Sequence, residues 1–220
     1  MSRSPRFSII LAAGKGTRMR SAERHKVCFP VAGRPAIVRA IEAYNAAGIS
    51  HHIVVVGAMA GQVVETVGTA FDNVQFVYQR EQLGTADAVS TGLRALASLP
   101  GDETVLVVPG DRIIEVSVLE QLFHDCFSSG ADLAFVTMPR NAGSGRVQID
   151  ENGTPYAILE VPDILQRTAL GRIHNQLVGD RKLSREYLKE TIRECFTGRP
   201  HGLSEKKAAK AFGDLWEILR

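Results

Sequence analysis

The chain has 220 residues, of which 45% are apolar and 23% charged, and its formal net charge is +2. That is the balance of an ordinary soluble domain, long enough for one sizeable core or a core with a tail. A charge so near neutral excludes a strong electrostatic pull toward nucleic acid or a membrane surface, and no apolar run approaches membrane-spanning length.

Residues 7–11 read as a short strand buried on both faces, with Phe7, Ile9, Ile10 and Leu11 as its apolar run. It leads straight into Ala12, Ala13, Gly14, Lys15, Gly16, Thr17 and Arg18. Small residues let the backbone approach a ligand closely, inward N–H groups can cradle phosphate oxygens, and Lys15 and Arg18 place positive charge beside them. The string is not a P-loop, because no Gly-Lys-Ser/Thr follows, and it lacks the third glycine of GxGxxG. After it comes KVCFPVAGRPAI, a shaped loop with Pro30 and Pro35 on either side of Gly33. From Pro35 a helix is expected, with Ile37, Val38, Ile41 and Tyr44 at helical spacing and Gly48 closing it. Residues 53–56 form a second buried strand, 61–69 a helix and 74–78 a third strand. This rhythm predicts parallel strands joined by right-handed crossovers, with ligands bound at the strands' carboxyl ends.

On that edge lies QREQLGTADAVSTGL, which turns at Gly84 and enters a helix near Thr85. Gln79 and Gln82 carry amides that suit the edge of a uracil or a cytosine, and the helix N-terminus at Thr85 adds donors. A fourth strand over 104–108 is broken by Pro109 and Gly110, leaving Asp111 just past its carboxyl end. A carboxylate there is placed to hold a divalent cation against phosphate. A helix over 118–129 and a fifth strand over 132–138 follow. Asn152-Gly153 between two alternating runs predicts a hairpin of 146–149 with 156–160. Residues 184–196 and 204–219 read as a helical hairpin, the second helix capped by Ser204. The pair is either an insertion packed on the sheet or a surface for a partner or a second copy. The expected architecture is therefore α/β: a Rossmann-like, mostly parallel sheet with helices on both faces, plus a C-terminal helical segment. The expected division is a core over 1–165 and a helical insertion or tail over 166–220.

Cys28, Cys126 and Cys195 are widely spread and form no CxxC, which reads as reduced thiols in a cytoplasmic protein. Cys28 is expected to be a small buried hydrophobe rather than a nucleophile. None of the six histidines sits at a metal-ligand spacing. The basic start, Arg3 and Arg6, precedes an apolar run too short for a signal-peptide core.

Four stretches, LAAGKGTRM, HKVCFPVAGRP, QREQLGTADA and the Pro-Gly-Asp at 109–111, occur in this order in sugar-nucleotide pyrophosphorylases. The chain resembles that nucleotidyltransferase family from about residue 7 to 163, and within it the uridylyltransferase domain of bacterial N-acetylglucosamine-1-phosphate uridylyltransferases. GRVQIDENGTPYAILE extends the likeness. The resemblance implies the nucleotide-diphospho-sugar transferase fold and a Mg²⁺-dependent reaction of UTP with a sugar 1-phosphate. It implies that Leu11, Ala12, Ala13, Gly14, Gln79, Gly84 and Thr85 hold the uridine, with Lys15, Gly16 and Gln82 in the same nucleotide site. It further implies that Arg18 binds the triphosphate, Lys26 binds phosphate, Asp111 carries Mg²⁺, and Gly145 and Glu160 meet the sugar.

The chain departs from the family in places. His25 stands where a proline usually precedes the lysine, and Arg112 follows the metal carboxylate. After Asp163 the family's Asn-Thr-Gly sugar segment does not appear, and Asn175 is a candidate for the late metal ligand by position only. No left-handed β-helix repeat is present, so an acetyltransferase half is not expected in this sequence. Two other readings stay open: a nucleotidyltransferase with another base or acceptor, and a nucleotide-sensing or interaction module without turnover.

Overall fold

The computed structural model describes residues 5–14, 23–99, 101, 103–138, 145–178 and 183–197, together with 209 and 213. The chain divides into two compact units, Met1–Val136 and Thr137–Arg220. In the first, β1 (Phe7–Ala12) is followed by a single 3₁₀ turn (Lys26–Cys28) and a two-residue ribbon, β2 (Pro30–Val31) and β3 (Arg34–Pro35). Then come α1 (Ala36–Ala46), β4 (His51–Val56), α2 (Ala60–Gly68), β5 (Val74–Tyr78), α3 (Thr85–Arg94), β6 (Val105–Pro109) and α4 (Val116–Ser129).

The main sheet has four parallel strands in the order β5-β4-β1-β6. Because strand side chains alternate, β1 sends Ile10 and Ala12 to one face and Ile9 to the other. On the first face Ile10, Val54, Val56 and Val108 pack against Ile37, Ile41 and Tyr44 of α1, Val63 and Val67 of α2, and Leu119 and Phe123 of α4. On the second, Ile9, Ile53 and Val55 meet Ala88 of α3. Each such aliphatic side chain contributes about 1.5–3 kcal/mol when fully buried. The second face is tight. A Cβ added at Gly92 of α3 would lie 2.6 Å from Ile9 Cγ2, so the missing side chain lets the helix approach the sheet.

After β5 the chain crosses back through α3 and lays β6 on the far side of β1, so the strand order reverses beside β1. At such a reversal the loops leaving the two strands diverge and open a crevice at their carboxyl ends. The first sheet edge is thereby prepared for a site before any polar side chain is considered.

The opposite, amino-terminal edge holds a closed polar cluster. Ser8 and His52 are fully buried, and Ser8 Oγ donates to His52 Nδ1 at 2.8 Å. His52 Nε2 donates to Asn45 Oδ1 at 3.0 Å, and Asn73 Nδ2 donates to the same oxygen and to the Ser50 carbonyl, each at 3.0 Å. Burial, with a smaller contribution from the neighbouring His51, depresses the His52 pKa to about 4.

One expected strand is corrected. Residues 133–138 are irregular, and β6 is an edge of the sheet. Leu133, Val136 and Met138 are exposed, so the apolar run has no second layer to bury it. Pro109 also removes a backbone donor from the outer end of β6. A cleft of about 700 Å³ lies between Val105–Pro109 and the stretch from Ala131 to Val136.

The second unit contains an antiparallel hairpin, β7 (Arg146–Ile149) and β8 (Pro155–Leu159), then α5 (Val161–Val178) and α6 (Arg185–Thr197). The hairpin turn is closed by Asp150, whose Oδ1 accepts from the Asn152 and Thr154 amides at 2.9 and 2.8 Å. Leu165 and Ala169 of α5 pack on Ile192, Cys195 and Phe196 of α6. The hairpin thus belongs with the helices and not with the sheet, whereas the sequence reading set the division at 165/166. The helix expected over 204–219 lies outside the described residues, apart from 209 and 213.

Candidate active site

The crevice is built from the ends of four strands. β1 finishes at Ala12, and the chain continues through Ala13, which is buried, to Gly14, which is exposed. The Ala13 carbonyl accepts from the Ala58 amide at 3.2 Å and from Gln82 Nε2 at 2.9 Å. These bonds tie the exit of β1 to the exits of β4 and β5. A Cβ added at Gly57 would lie 2.9 Å from the Ala13 carbonyl oxygen and 3.0 Å from its Cβ, so only glycine admits this approach. Spacing alone did not single out Gly57; the signal was a glycine directly after a buried strand.

At the end of β5, Gln79 is 4% exposed and its backbone amide donates to the Val56 carbonyl at 2.8 Å. Gln79 Nε2 donates to Asp87 Oδ2 at 2.6 Å and to the Gly84 carbonyl at 3.3 Å. Gly84 precedes α3 with φ +118°, a conformation that favours glycine, and α3 begins at Thr85 with no side-chain cap. Gln82, Gly84 and Thr85 are exposed on this rim.

On the β6 side, the Gly110 amide donates to the Leu11 carbonyl at 2.9 Å, joining the exits of β6 and β1. Lys26 Nζ donates to Asp111 Oδ2 at 3.0 Å across the crevice. The expected phosphate cation and the expected metal carboxylate, 85 residues apart, are therefore neighbours. Tyr44 holds the Asp111 turn from below, its buried hydroxyl donating to the Arg112 carbonyl at 3.0 Å. Burial pushes the Tyr44 phenol well above its usual range, and the Asp111 charge adds to this.

His25 was noted in the sequence only as a departure, yet it organises the Lys26 turn. It is 2% exposed, and its Nδ1 accepts from the Val27 amide at 3.4 Å. That leaves Nε2 as the donor to the Gly14 carbonyl at 3.0 Å, while the His25 amide donates to Gln62 Oε1 at 2.7 Å. Burial depresses its pKa; the Gly14 carbonyl opposes this and Lys26 adds to it. One neutral ring thus links the glycine-rich loop to the turn carrying Lys26. Beside it Cys28 is buried, and that burial raises its thiol pKa, which leaves it a packing residue.

Lys15, Gly16 and Arg18 lie outside the described residues. In the second unit, Gly145 and Glu160 are adjacent: a Cβ added at Gly145 would lie 3.0 Å from the Leu159 carbonyl and 3.7 Å from Glu160 Oε2. Asn175 is exposed on α5 of that unit.

Among the described residues no three His, Cys, Asp or Glu side chains converge as a ready-made metal cage. A lone carboxylate beside a cation is a donor set that suits Mg²⁺, which keeps several waters and uses one or two carboxylates plus substrate phosphates. Asp111 meets that requirement. No helix among the described residues is long and apolar enough to cross a membrane.

A doubly wound parallel sheet, with a small-residue loop, amides and a cation–carboxylate pair at its reversal point, defines a nucleotide-binding α/β domain. Comparison with known proteins narrows this. The chain belongs to the MobA-like NTP transferase domain family, which matches residues 8–194, and it is a nucleotidyltransferase of that type. Bifunctional protein GlmU of Bacillus cereus (strain AH187) is 38% identical over 163 residues, covering 73% of this chain and 34% of the relative. Bifunctional protein GlmU of Bacillus thuringiensis (strain Al Hakam) matches with the same identity and coverage. The chain thus spans about a third, 34%, of the length of these relatives. HddC from Yersinia pseudotuberculosis, solved in complex with GMP-PN, shares the fold at 19% identity and a TM-score of 0.50, covering 70% of this chain and 68% of that one.

Proposed function

We propose that the chain transfers the uridylyl group of UTP to a sugar 1-phosphate of the N-acetylhexosamine type, with release of pyrophosphate. The observation that carries this reading is the meeting, on one rim, of base-type amides (Gln79, Gln82) with a phosphate-type pair (Lys26, Asp111). The motif resemblance supports the uridine and N-acetylglucosamine assignments.

A phosphate oxygen of the sugar 1-phosphate attacks the α-phosphorus of UTP. A P–O bond forms as the bond from that phosphorus to the bridging oxygen breaks, and the electron pair leaves with pyrophosphate. The nucleophile is already an anion, so no general base is required. What opposes reaction is repulsion between anions and the charge growing on the leaving group, and fixed cations and amides counter both. Lys26, freed from Asp111, and Arg18 neutralise the triphosphate. Asp111 would hold Mg²⁺ together with phosphate oxygens, the ion supplying Lewis-acid stabilisation of the leaving charge when bound. Residues 11–16 with Gln79, Gln82, Gly84 and Thr85 hold the nucleotide, and the motif resemblance assigns Gly145 and Glu160 to the sugar. Free thiols at all three cysteines accord with a cytoplasmic setting.

The test is pyrophosphate release by the full chain with each NTP, Mg²⁺ and a panel of sugar 1-phosphates. UTP-dependent release with N-acetylglucosamine 1-phosphate is expected. Release with another nucleotide or acceptor only, or nucleotide binding without release, would overturn the assignment.

A further inference from the structure

The amide of Gln79 is held in one orientation. Both partners of its Nε2, the Asp87 carboxylate at 2.6 Å and the Gly84 carbonyl at 3.3 Å, only accept hydrogen bonds. Turning the amide over would set its oxygen against two other oxygens. The network therefore fixes which end is which, and Oε1 is the atom left over. Among the described residues nothing donates to it. Gln79 is nearly buried at the carboxyl end of β5, and Gln82, which follows it on the same rim, is tied to the β1 exit.

We propose that Asp87 is a positioning residue that fixes Gln79 as a hydrogen-bond acceptor toward the base, so that the site takes nucleotides whose ring carries an N–H. This rests on the nucleotide site proposed above. Uracil and thymine offer N3–H and guanine offers N1–H. Cytosine at N3 and adenine at N1 present a bare nitrogen, and two acceptors would then face each other in a desolvated position. Sites that leave a buried polar group unpaired discriminate strongly, and about 100-fold or more in kcat/KM is expected here. The amides alone left uracil and cytosine open, since an amide can serve either, and the motif resemblance favoured uridine; the carboxylate in the first turn of α3 removes that freedom. Asp87 also sits in the first turn of α3, where a carboxylate favours the helix dipole, but that role carries no preference among bases.

The experiment compares kcat/KM for UTP, GTP, CTP and ATP in the full chain, with nucleotide Kd by calorimetry as a second readout. In the wild type, UTP should exceed CTP about 100-fold. Asp87→Asn replaces the shorter of the two acceptor contacts with an amide that can also donate, leaving the Gly84 carbonyl at 3.3 Å as the weaker constraint against turning Gln79 over. It should cut the UTP/CTP ratio tenfold or more at an unchanged Tm. Asp87→Glu keeps an acceptor and should retain most of the ratio. Equal use of UTP and CTP by the wild type, or an unaltered ratio in Asp87→Asn, would overturn the proposal. A preference for GTP over UTP with CTP and ATP rejected would support the acceptor assignment while overturning the uridine reading. Failure of every nucleotide to bind would overturn both.

Discussion

The sheet of the first unit carries a polar cluster at each end, and the two differ in burial and in how completely their hydrogen bonds are closed. At the amino edge Ser8, His52, Asn45 and Asn73 satisfy one another and the Ser50 carbonyl. Among the described residues, Gln79 at the carboxyl edge has an amide oxygen with no donor, and Asp111 is paired through Oδ2 with a lysine that phosphate can draw away. The Ser-His-Asn set has the residue types of a nucleophilic triad. Its serine is fully buried and its polar groups satisfy one another, so it serves to join β1, α1, β4 and the loop that leads into β5. Buried polarity alone marks neither function nor structure; hydrogen-bonding capacity left over at a crevice is the better guide.

The largest test of this contrast removes charge at the carboxyl edge. Asp111→Ala should lower turnover by about 10³-fold and Lys26→Ala by about 10²–10³-fold, in the range seen when one charge-stabilising group is lost. Neither should shift Tm appreciably, because a part-exposed ion pair contributes at most about 1 kcal/mol. Steady-state kinetics beside thermal unfolding checks both. A large fall in Tm would place the pair in the stabilising class with the amino-edge cluster.

The amino edge should behave the other way, showing itself in stability and not in turnover. His52 titrates near 6.5 when unfolded and at about 4 when folded. As pH falls through 6.5 the unfolded chain takes up a proton that the folded chain refuses. Stability that is full above pH 6.5 is therefore lost progressively down to pH 4, by about 3 kcal/mol in all. Denaturant unfolding across that window measures it. His52→Gln should flatten this component of the profile while leaving the pH 7 nucleotide Kd in place.

Tyr44→Phe sharpens the comparison on a smaller scale. It removes the bond to the Arg112 carbonyl and should cost about 1 kcal/mol of stability. Because that bond steadies the Asp111 turn, the apparent Mg²⁺ requirement should rise a few-fold. An unchanged Mg²⁺ dependence would show that the turn needs no such support.

The sequence made most of the sheet legible, because each strand is a continuous apolar run ending in small or turn-forming residues. It misled at 132–138, where a mostly apolar run has no partner layer. It was silent about α5, whose Leu170, Leu177 and Val178 stay exposed and blur the apolar stripe. The candidate site was legible where motif and strand end coincide, as at Ala12 to Gly14, Gln79 and Asp111. The supporting residues were not. His25, Gly57 and Tyr44 act through the Gly14 carbonyl, the Ala13 carbonyl and the Arg112 carbonyl, across separations that no local spacing encodes.

The most direct measurement is a backbone NMR titration of the full chain with UTP and Mg²⁺. The amides of Ala13, Gly14, Lys26, Gln79, Gly84, Thr85 and Asp111 should shift in a saturable way, while those of Ser8, Asn45, His52 and Asn73 stay still. Shifts confined to the amino edge, or none at saturating nucleotide, would contradict the assignment of the carboxyl edge as the nucleotide site.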